Sequence, residues 1–349
     1  MGKSYSICIV LFLISCSFSG NTQTNPDLSK VFPEKEWQKI TPEEVGYSSK
    51  KLDRAKTKFE EIGGVAALIV VKGYVIADWG MTEKNFDCRS FRKSFLSSLY
   101  GIYQEEGAID INKTLGELQI NDGGKLNANE LQTQVKYLMS SSSGIYLPAA
   151  FEEASNRAKP ERGLHQPGEH FQYNNWDFNA LSNIFNDQTG KDLFLEFQNR
   201  IASPIGMEHF DASYNTGYFY QPALSEYPAY IFQISTKDMA RFGLLYLNEG
   251  NWNGNQIVPK EWVIESTKAQ IETGDKYYYN YGYLWWVTKS ESNTGRAPFL
   301  ARGAQSQYMY IDPANELIVI FRDNPDGTLR VKKSDAYPLI GSVYGAMLR

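Results

Sequence analysis

Residues 65–93 read VAALIVV-KG-YVIADW-GMTEKNFDCR-SFRK, and the order of elements in this stretch decides the fold. Val65 to Val71 and Tyr74 to Trp79 are two apolar runs. Lys72-Gly73 between them predicts a tight turn joining two strands. From Ser90 the spacing becomes helical, with Phe91, Phe95, Leu96 and Leu99 on one side and Gly107 stopping the run after Glu106. Upstream, Leu52, Ala55 and Phe59 predict a helix over Ser48 to Ile62, with Ser48 or Ser49 as its N-cap. Downstream, from about 110 to 275, helical stretches such as Asp177 to Gly190 and Thr236 to Asn248 alternate with loops rich in Gly, Pro, Ser and Asn. Strand-like segments return at Tyr281 to Thr288, Gln307 to Ile311 and Glu316 to Phe321, and a last helix fits Ser334 to Leu348. The expected fold class is therefore α+β. An antiparallel sheet built from both ends of the chain carries the terminal helices, and the middle forms an inserted, mostly helical lobe. The crevice between the two is the natural binding site.

Composition narrows the function. With 35 basic and 40 acidic residues the net charge is −5, and no basic run exists, so nucleic acid is not the expected partner. Cys8, Cys16 and Cys88 are too few for a disulfide framework or a cysteine-rich zinc module. His165, His170 and His209 match no metal-binding spacing, so no metal is expected; His165 and His170 read as polar loop residues. No nucleotide-binding glycine motif and no G-x-S-x-G elbow is present, so no cofactor is implied. Ser140 to Ser143 reads as a loop, Cys88 as buried packing, and most of the aromatics of the C-terminal half as core.

The N-terminus reads as an export signal. Lys3 precedes the apolar run Ile7 to Ile14, which is too short to span a bilayer. The run ends in Leu13-Ile14-Ser15-Cys16, which resembles the lipobox of bacterial lipoproteins. This implies a signal peptide over 1–15, lipidation of Cys16, a tether over 16–44, and a chain anchored to a membrane and facing the periplasm or the cell surface of a bacterium. The folded domain is expected over 45–349.

Ser90-Phe91-Arg92-Lys93 is an S-x-x-K tetrad. Residues three apart share a helix face, so the hydroxyl and amine can meet. Serine becomes a useful nucleophile when a base takes its proton, and lysine is that base only when neutral, which burial or a neighbouring cation favours. The N–H groups at a helix start would also stabilise an oxyanion. Ser48-Ser49-Lys50-Lys51 matches the same pattern but opens the first amphipathic helix, and reads as a cap with solvated lysines.

With this tetrad, further segments make the chain resemble the serine β-lactamase-related hydrolases: class C β-lactamases, penicillin-binding peptidases and esterases. They are Glu106 to Ile111, Tyr137-Leu138-Met139, Ser142-Ser143-Gly144, the run Pro167-Gly168-Glu169-His170-Phe171-Gln172-Tyr173-Asn174-Asn175, Leu181 to Gly190, Pro204 to Met207, Ser235 to Gly243 and Gln307 to Pro313. Together they cover roughly residues 45–345. The resemblance implies Ser90 as the acylated nucleophile, Lys93 as its base, Tyr173 as the phenol that exchanges protons, and Asn175 as an amide that binds substrate and Lys93. The family carries a K-T-G or H-x-G triplet on the strand facing the nucleophile. Here the stretch is Ala301 to Tyr308, with Ala304 in place of the cationic or imidazole residue and Ser306 in place of the glycine. The N–H of Gln307 is expected to complete the oxyanion hole. Arg302 reads as a surface or structural residue, with the alternative that it supplies the missing charge.

The resulting expectation is a serine hydrolase acting on a small-molecule ester or amide through an acyl-Ser90 intermediate. One alternative is a β-lactamase or D-amino-acid peptidase with a peptide substrate. The other is a catalytically silent binding protein for cell-wall fragments.

Overall fold

The computed structural model describes residues 28–152, 159–274, 277–289, 295–323 and 333–348. The expected signal segment, with Cys8 and Cys16, lies outside the described residues. In chain order the elements are helix α1 (Ser49–Glu61), strands β1 (Ala66–Val71), β2 (Tyr74–Gly80) and β3 (Phe86–Asp87), helices α2 (Arg92–Glu105), α3 (Val135–Met139), α4 (Asn175–Thr189) and α5 (Leu193–Phe197), strands β4 (Thr216–Phe219) and β5 (Ala229–Ile234), helix α6 (Thr236–Leu247), the short strands β6 (Asn251–Trp252) and β7 (Asn255–Gln256), helix α7 (Lys260–Ser266), strands β8 (Tyr279–Tyr281), β9 (Trp286–Thr288), β10 (Phe299–Gly303), β11 (Gln307–Asp312) and β12 (Leu317–Arg322), and helix α8 (Lys333–Gly345).

Seven strands form one sheet in the order β2-β1-β12-β11-β10-β9-β8, every pair antiparallel. The two ends of the chain meet at its centre, where β1 pairs β12 with Leu68 opposite Ile320. All residues of β1, β11 and β12 are buried, as strands covered on both faces must be. Side chains alternate across a strand, so Phe321 and Ile318 point to opposite faces. Phe321 meets Phe59 of α1, and Ile318 lies against Gly243 of α6. The helices α1 and α8 thus share one face, joined by a Tyr47–Met347 bridge and the Ser48 N–H to Ala346 carbonyl bond at 2.8 Å. The helix α6 covers the other face.

The inserted lobe is less purely helical than its sequence suggests. The strands β3, β5 and β4 form a second sheet, and β6 and β7 a small hairpin. Arg322 at the end of β12 fastens the two sheets together. It is fully buried and donates to the main-chain oxygens of Phe86, at 3.0 Å, and Ile234, and to Gln307 Oε1 at 2.6 Å. Burial lowers its pKa to about 10, which still leaves it charged at neutral pH.

Part of the expected tether belongs to the folded body. The Val31 N–H bonds the Lys72 carbonyl at 3.0 Å, and Lys39 bridges Val75 in parallel. The buried Arg241 of α6 grips the carbonyls of Pro33, Glu34 and Lys35 at 2.7–3.1 Å. The packed chain therefore starts well before residue 45; its polar side chains hide a backbone that is bonded to the sheet. The single strand read over Tyr281 to Thr288 is two strands, β8 and β9, turned at residues 282–285.

Candidate active site

The approach to Ser90 is a tightly held turn. Arg89 adopts φ +53°, a left-handed conformation that costs a side-chain-bearing residue about 1 kcal/mol or more. Asp87 pins it by accepting from the Arg89 N–H at 2.7 Å and its guanidinium at 2.9 Å, and Arg89 Nε donates to Gln305 at 2.9 Å. The Cys88 N–H bonds the Phe232 carbonyl at 3.0 Å. Cys88 is fully buried and its thiol is pushed up to about 12 by that burial, which fits the packing role expected of it.

Ser90 lies in a 3-10 turn that runs directly into α2. That helix is buried nearly all round and threads the molecule because its polar residues are small. Ser94 and Ser97 donate to the carbonyls of Leu284 and Tyr283, at 2.9 and 2.7 Å, and Gly101 lies flat against Trp262. Lys93, 1% exposed, sits at the meeting point of the site. Its Nζ donates to Ser90 Oγ at 2.8 Å, Tyr173 OH at 2.6 Å and Asn175 Oδ1 at 3.2 Å. The structure thus brings together four of the six sequence-predicted site residues: Ser90, Lys93, Tyr173 and Asn175.

The turn carrying Tyr173 is held from behind by the serine-rich loop. Ser141 Oγ donates to the Gln172 carbonyl at 2.9 Å and accepts from the Asn174 N–H at 3.2 Å. Ser143 Oγ donates to Asp177 Oδ1 at 2.7 Å, which also accepts from Asn174 Nδ2 at 3.1 Å. Asp177 is fully buried, and desolvation holds its carboxyl well above the usual range, favouring the neutral form. Ser140 to Ser143 is thus a loop, as read, and its hydroxyls brace the site. Asn175 also donates to the Phe151 carbonyl at 2.6 Å, which fixes the orientation of its amide.

The third segment sits differently from its expected register. The strand facing the Ser90 turn is β10, and Ala304 to Ser306 form the turn after it. A Cβ built on Gly303 would lie 2.3 Å from the Cys88 carbonyl oxygen, so the triplet against the nucleophile turn is Ala301-Arg302-Gly303. Ser306 is buried in that turn with φ +55°. The Gln307 side chain is turned into the hairpin, donating to the carbonyls of Gln305 and Asp323 at 2.8 Å each and accepting from Arg322. The Gln307 side chain therefore lies outside the Ser90 cluster. The paired strand residues, not the motif spacing, set this register: Gly303 stands opposite Gln307 across the hairpin.

Arg302 is not a surface residue. It is half-buried, lies 4.6 Å over the Trp286 ring, and donates to Tyr337 OH at 3.0 Å. Trp286 in turn stacks on Tyr173, at 5.7 Å and 18°. Trp286 and Phe178, whose ring lies 4.1 Å from Lys93 Nζ, adjoin the site and were missed by the sequence reading. They lie in ordinary aromatic runs with no motif to mark them. His165 and His170 stack on each other at 4.1 Å. Among the described residues, no group of three or more His, Cys, Asp or Glu could hold a metal.

The family description "Beta-lactamase" matches residues 52–337. The chain belongs to the serine β-lactamase-related family. Its fold is similar to that of a putative β-lactamase from Bacteroides dorei, with TM-score 0.68 and 17% identity over 86% of this chain and 99% of the other. It is also similar to a family VIII carboxylesterase, with TM-score 0.65 and 16% identity over 90% and 100% of the two chains. A putative 6-aminohexanoate-dimer hydrolase from Bacillus anthracis gives TM-score 0.63 and 19% identity over 90% and 85%. No curated protein matches the sequence at a significant level.

Proposed function

We propose that this family member is an acyl-transferring serine hydrolase acting on a small ester or amide. The observation that carries the reading is Lys93 Nζ within hydrogen-bond distance of both Ser90 Oγ and Tyr173 OH. In this mechanism Ser90 attacks the substrate carbonyl while Lys93 and Tyr173 take its proton. The proton then passes to the leaving alcohol or amine, and the acyl-Ser90 ester forms as the carbonyl–leaving-group bond breaks. Water enters by the reverse sequence and releases the acid. The Ser90 N–H and a main-chain N–H from the end of β10, beside Gly303, are the proposed oxyanion donors. The Gln307 N–H expected from the sequence is the alternative second donor.

Ala301 at the head of the triplet offers neither a lysine nor a histidine, which favours ester and small-amide substrates over β-lactams. The similarity to a carboxylesterase and to a putative amide hydrolase supports the same choice. Arg302 supports the second reading, a β-lactamase or D-amino-acid peptidase, because a guanidinium can pair with a substrate carboxylate. Intact-protein mass after exposure to a fluorophosphonate decides the mechanism. A single adduct on wild type that is absent from Ser90→Ala is expected. A folded wild type that takes no adduct points to a silent binding protein. Turnover of a chromogenic cephalosporin faster than of simple esters favours the second reading.

We also infer export and lipid anchoring, from residues 1–16 alone. The Cys16→Ser chain then moves from the membrane to the soluble fraction of a bacterial host, and an unchanged distribution refutes the anchor.

A further inference from the structure

Arg92 breaks three local rules at once. It is the first residue of α2, where the helix dipole opposes a cation. Its side chain is 4% exposed, and buried charges are ordinarily paired. Yet its polar contact is a neutral one, NH1 donating to the Arg89 carbonyl at 2.9 Å. The guanidinium lies 4.8 Å over the Tyr230 ring and 5.9 Å from the Phe151 ring, and the buried Nε makes no hydrogen bond. The nearest acid upstream in this segment, Asp87, is committed to Arg89. A guanidinium does not deprotonate in a protein, so the positive charge stays.

Lys93 is the next residue, and its surroundings pull toward the ammonium form. The Phe178 and Tyr173 rings lie 4.1 and 4.5 Å from Nζ, and aromatic faces attract a cation. Something must offset them if Lys93 is to accept a proton from Ser90. We propose that Arg92 is the cation that keeps Lys93 in its neutral, proton-accepting form. A like charge in a dry setting disfavours the ammonium, and the same field favours negative charge on Tyr173 and on the tetrahedral intermediate.

Of the charged groups near this pair, Glu152 is paired with Lys159 at 2.5 Å, and Lys159 also donates to Asn174 Oδ1 at 3.2 Å. Tyr173, Tyr230 of β5 and Tyr281 of β8 are phenols, and burial raises the latter two. Asp177 of α4 favours its neutral form, as does the Cys88 thiol, and Arg302 of β10 adds to the positive side. Tyr230 feels both groups: Arg92 lowers its pKa and Tyr173 raises it, against the larger rise from burial. Arg92 in this role is a positioning residue: it acts through Lys93 and touches no substrate.

The inference rests on the Ser90–Lys93 reading above. It is tested by the pH dependence of kcat/KM on an activated ester, and of fluorophosphonate labelling rate, for wild type, Arg92→Met, Arg92→Lys and Tyr230→Phe. The acid limb of the profile is expected to move up by about one pH unit in Arg92→Met, a loss of about tenfold in rate at any pH below the limb. Arg92→Lys keeps the limb at its wild-type position, and Tyr230→Phe leaves it unmoved. If Arg92→Met does not fold, Arg92→Gln replaces it, and Arg92→Lys must still match wild type. A limb unmoved in Arg92→Met, or moved equally in Arg92→Lys, overturns the proposal and leaves Arg92 as packing against Tyr230. A wild type that Ser90 labelling does not mark overturns the serine–lysine reading itself, so the two failures are distinguishable.

Discussion

Gly303 is the point where the sheet touches the Cys88–Ser90 turn, and Gly303→Ala measures how closely that contact sets the proposed chemistry. The added methyl would lie 2.3 Å from the Cys88 carbonyl oxygen and 3.0 Å from the Arg89 and Gln307 Cβ atoms. Carbon–oxygen contacts settle a little above 3 Å, so β10 and the turn must part by about 1 Å. Neither side yields easily. Gly303 is paired to Gln307 across the hairpin, and the Cys88–Arg89 turn is held by Asp87, Gln305 and Phe232. A misplacement of about 1 Å between nucleophile and oxyanion donors costs about 100-fold in rate, equivalent to about 2.7 kcal/mol of transition-state stabilisation. The assay is kcat/KM for an activated ester, normalised to the fraction of protein that accepts fluorophosphonate. Gly243→Ala is the internal control. Its methyl meets the flexible Met309 sulfur at 2.7 Å on the α6 face of the sheet, so it lowers stability by about 1–3 kcal/mol and leaves the normalised activity near wild type. A Gly303→Ala enzyme within about threefold of wild type refutes the idea that β10 positions the reaction.

Three further outcomes are expected. Lys93→Met keeps a buried apolar stem but removes the proton acceptor, and lowers kcat/KM by about 10²–10⁴-fold at neutral pH; activity near wild type rules out Lys93 as base. Asp177 has a folded pKa raised above its usual 3.8, so the stability it contributes is present below that value and declines as pH rises. The melting temperature of Asp177→Asn relative to wild type therefore becomes more favourable from pH 4 to pH 8, and a constant difference across that range contradicts the burial argument. The Cys88 thiol, fully buried and raised to about 12, resists iodoacetamide in the native protein and reacts on unfolding, as peptide-resolved mass spectrometry will report.

The sequence was most informative where local chemistry and periodicity agree. The helix capped by Ser48, the strand pair turning at Lys72-Gly73, and the helix opened by Ser90 each follow from residues within one or two turns of the feature. The pairing of Ser90, Lys93, Tyr173 and Asn175 was legible because colinear motifs supplied the long-range link that spacing lacks. Trp286 and Phe178 were not legible, and Arg302 was legible only as a candidate for the missing charge. An aromatic becomes a site wall only through the fold, and β10 carries Arg302 beside Trp286 by strand pairing that its own residues do not announce. The register of the Ala301 to Gln307 hairpin was misread for a related reason. Gln305 and Ser306 both take left-handed φ, at +57° and +55°, without a glycine to signal the turn. The docked segment at residues 31–39 was read as a tether because its bonds to the sheet are made by backbone, which composition does not register.

The pairing of β1 with β12 carries a consequence for the life of the chain before it is folded. Leu68 finds Ile320 across about 250 residues of intervening sequence, so the central pair of the sheet cannot close before residues 317–322 have been made. Until residues 317–322 are free, β1 and β2 stand as a lone apolar hairpin, which is marginal in water. Arg322, arriving with the same strand, then fastens the second sheet beneath the Ser90 turn. Ser90, encoded in the first third of the chain, therefore gains this support only once the strand that carries Arg322 has been made, and a chain cut short before that strand lacks it.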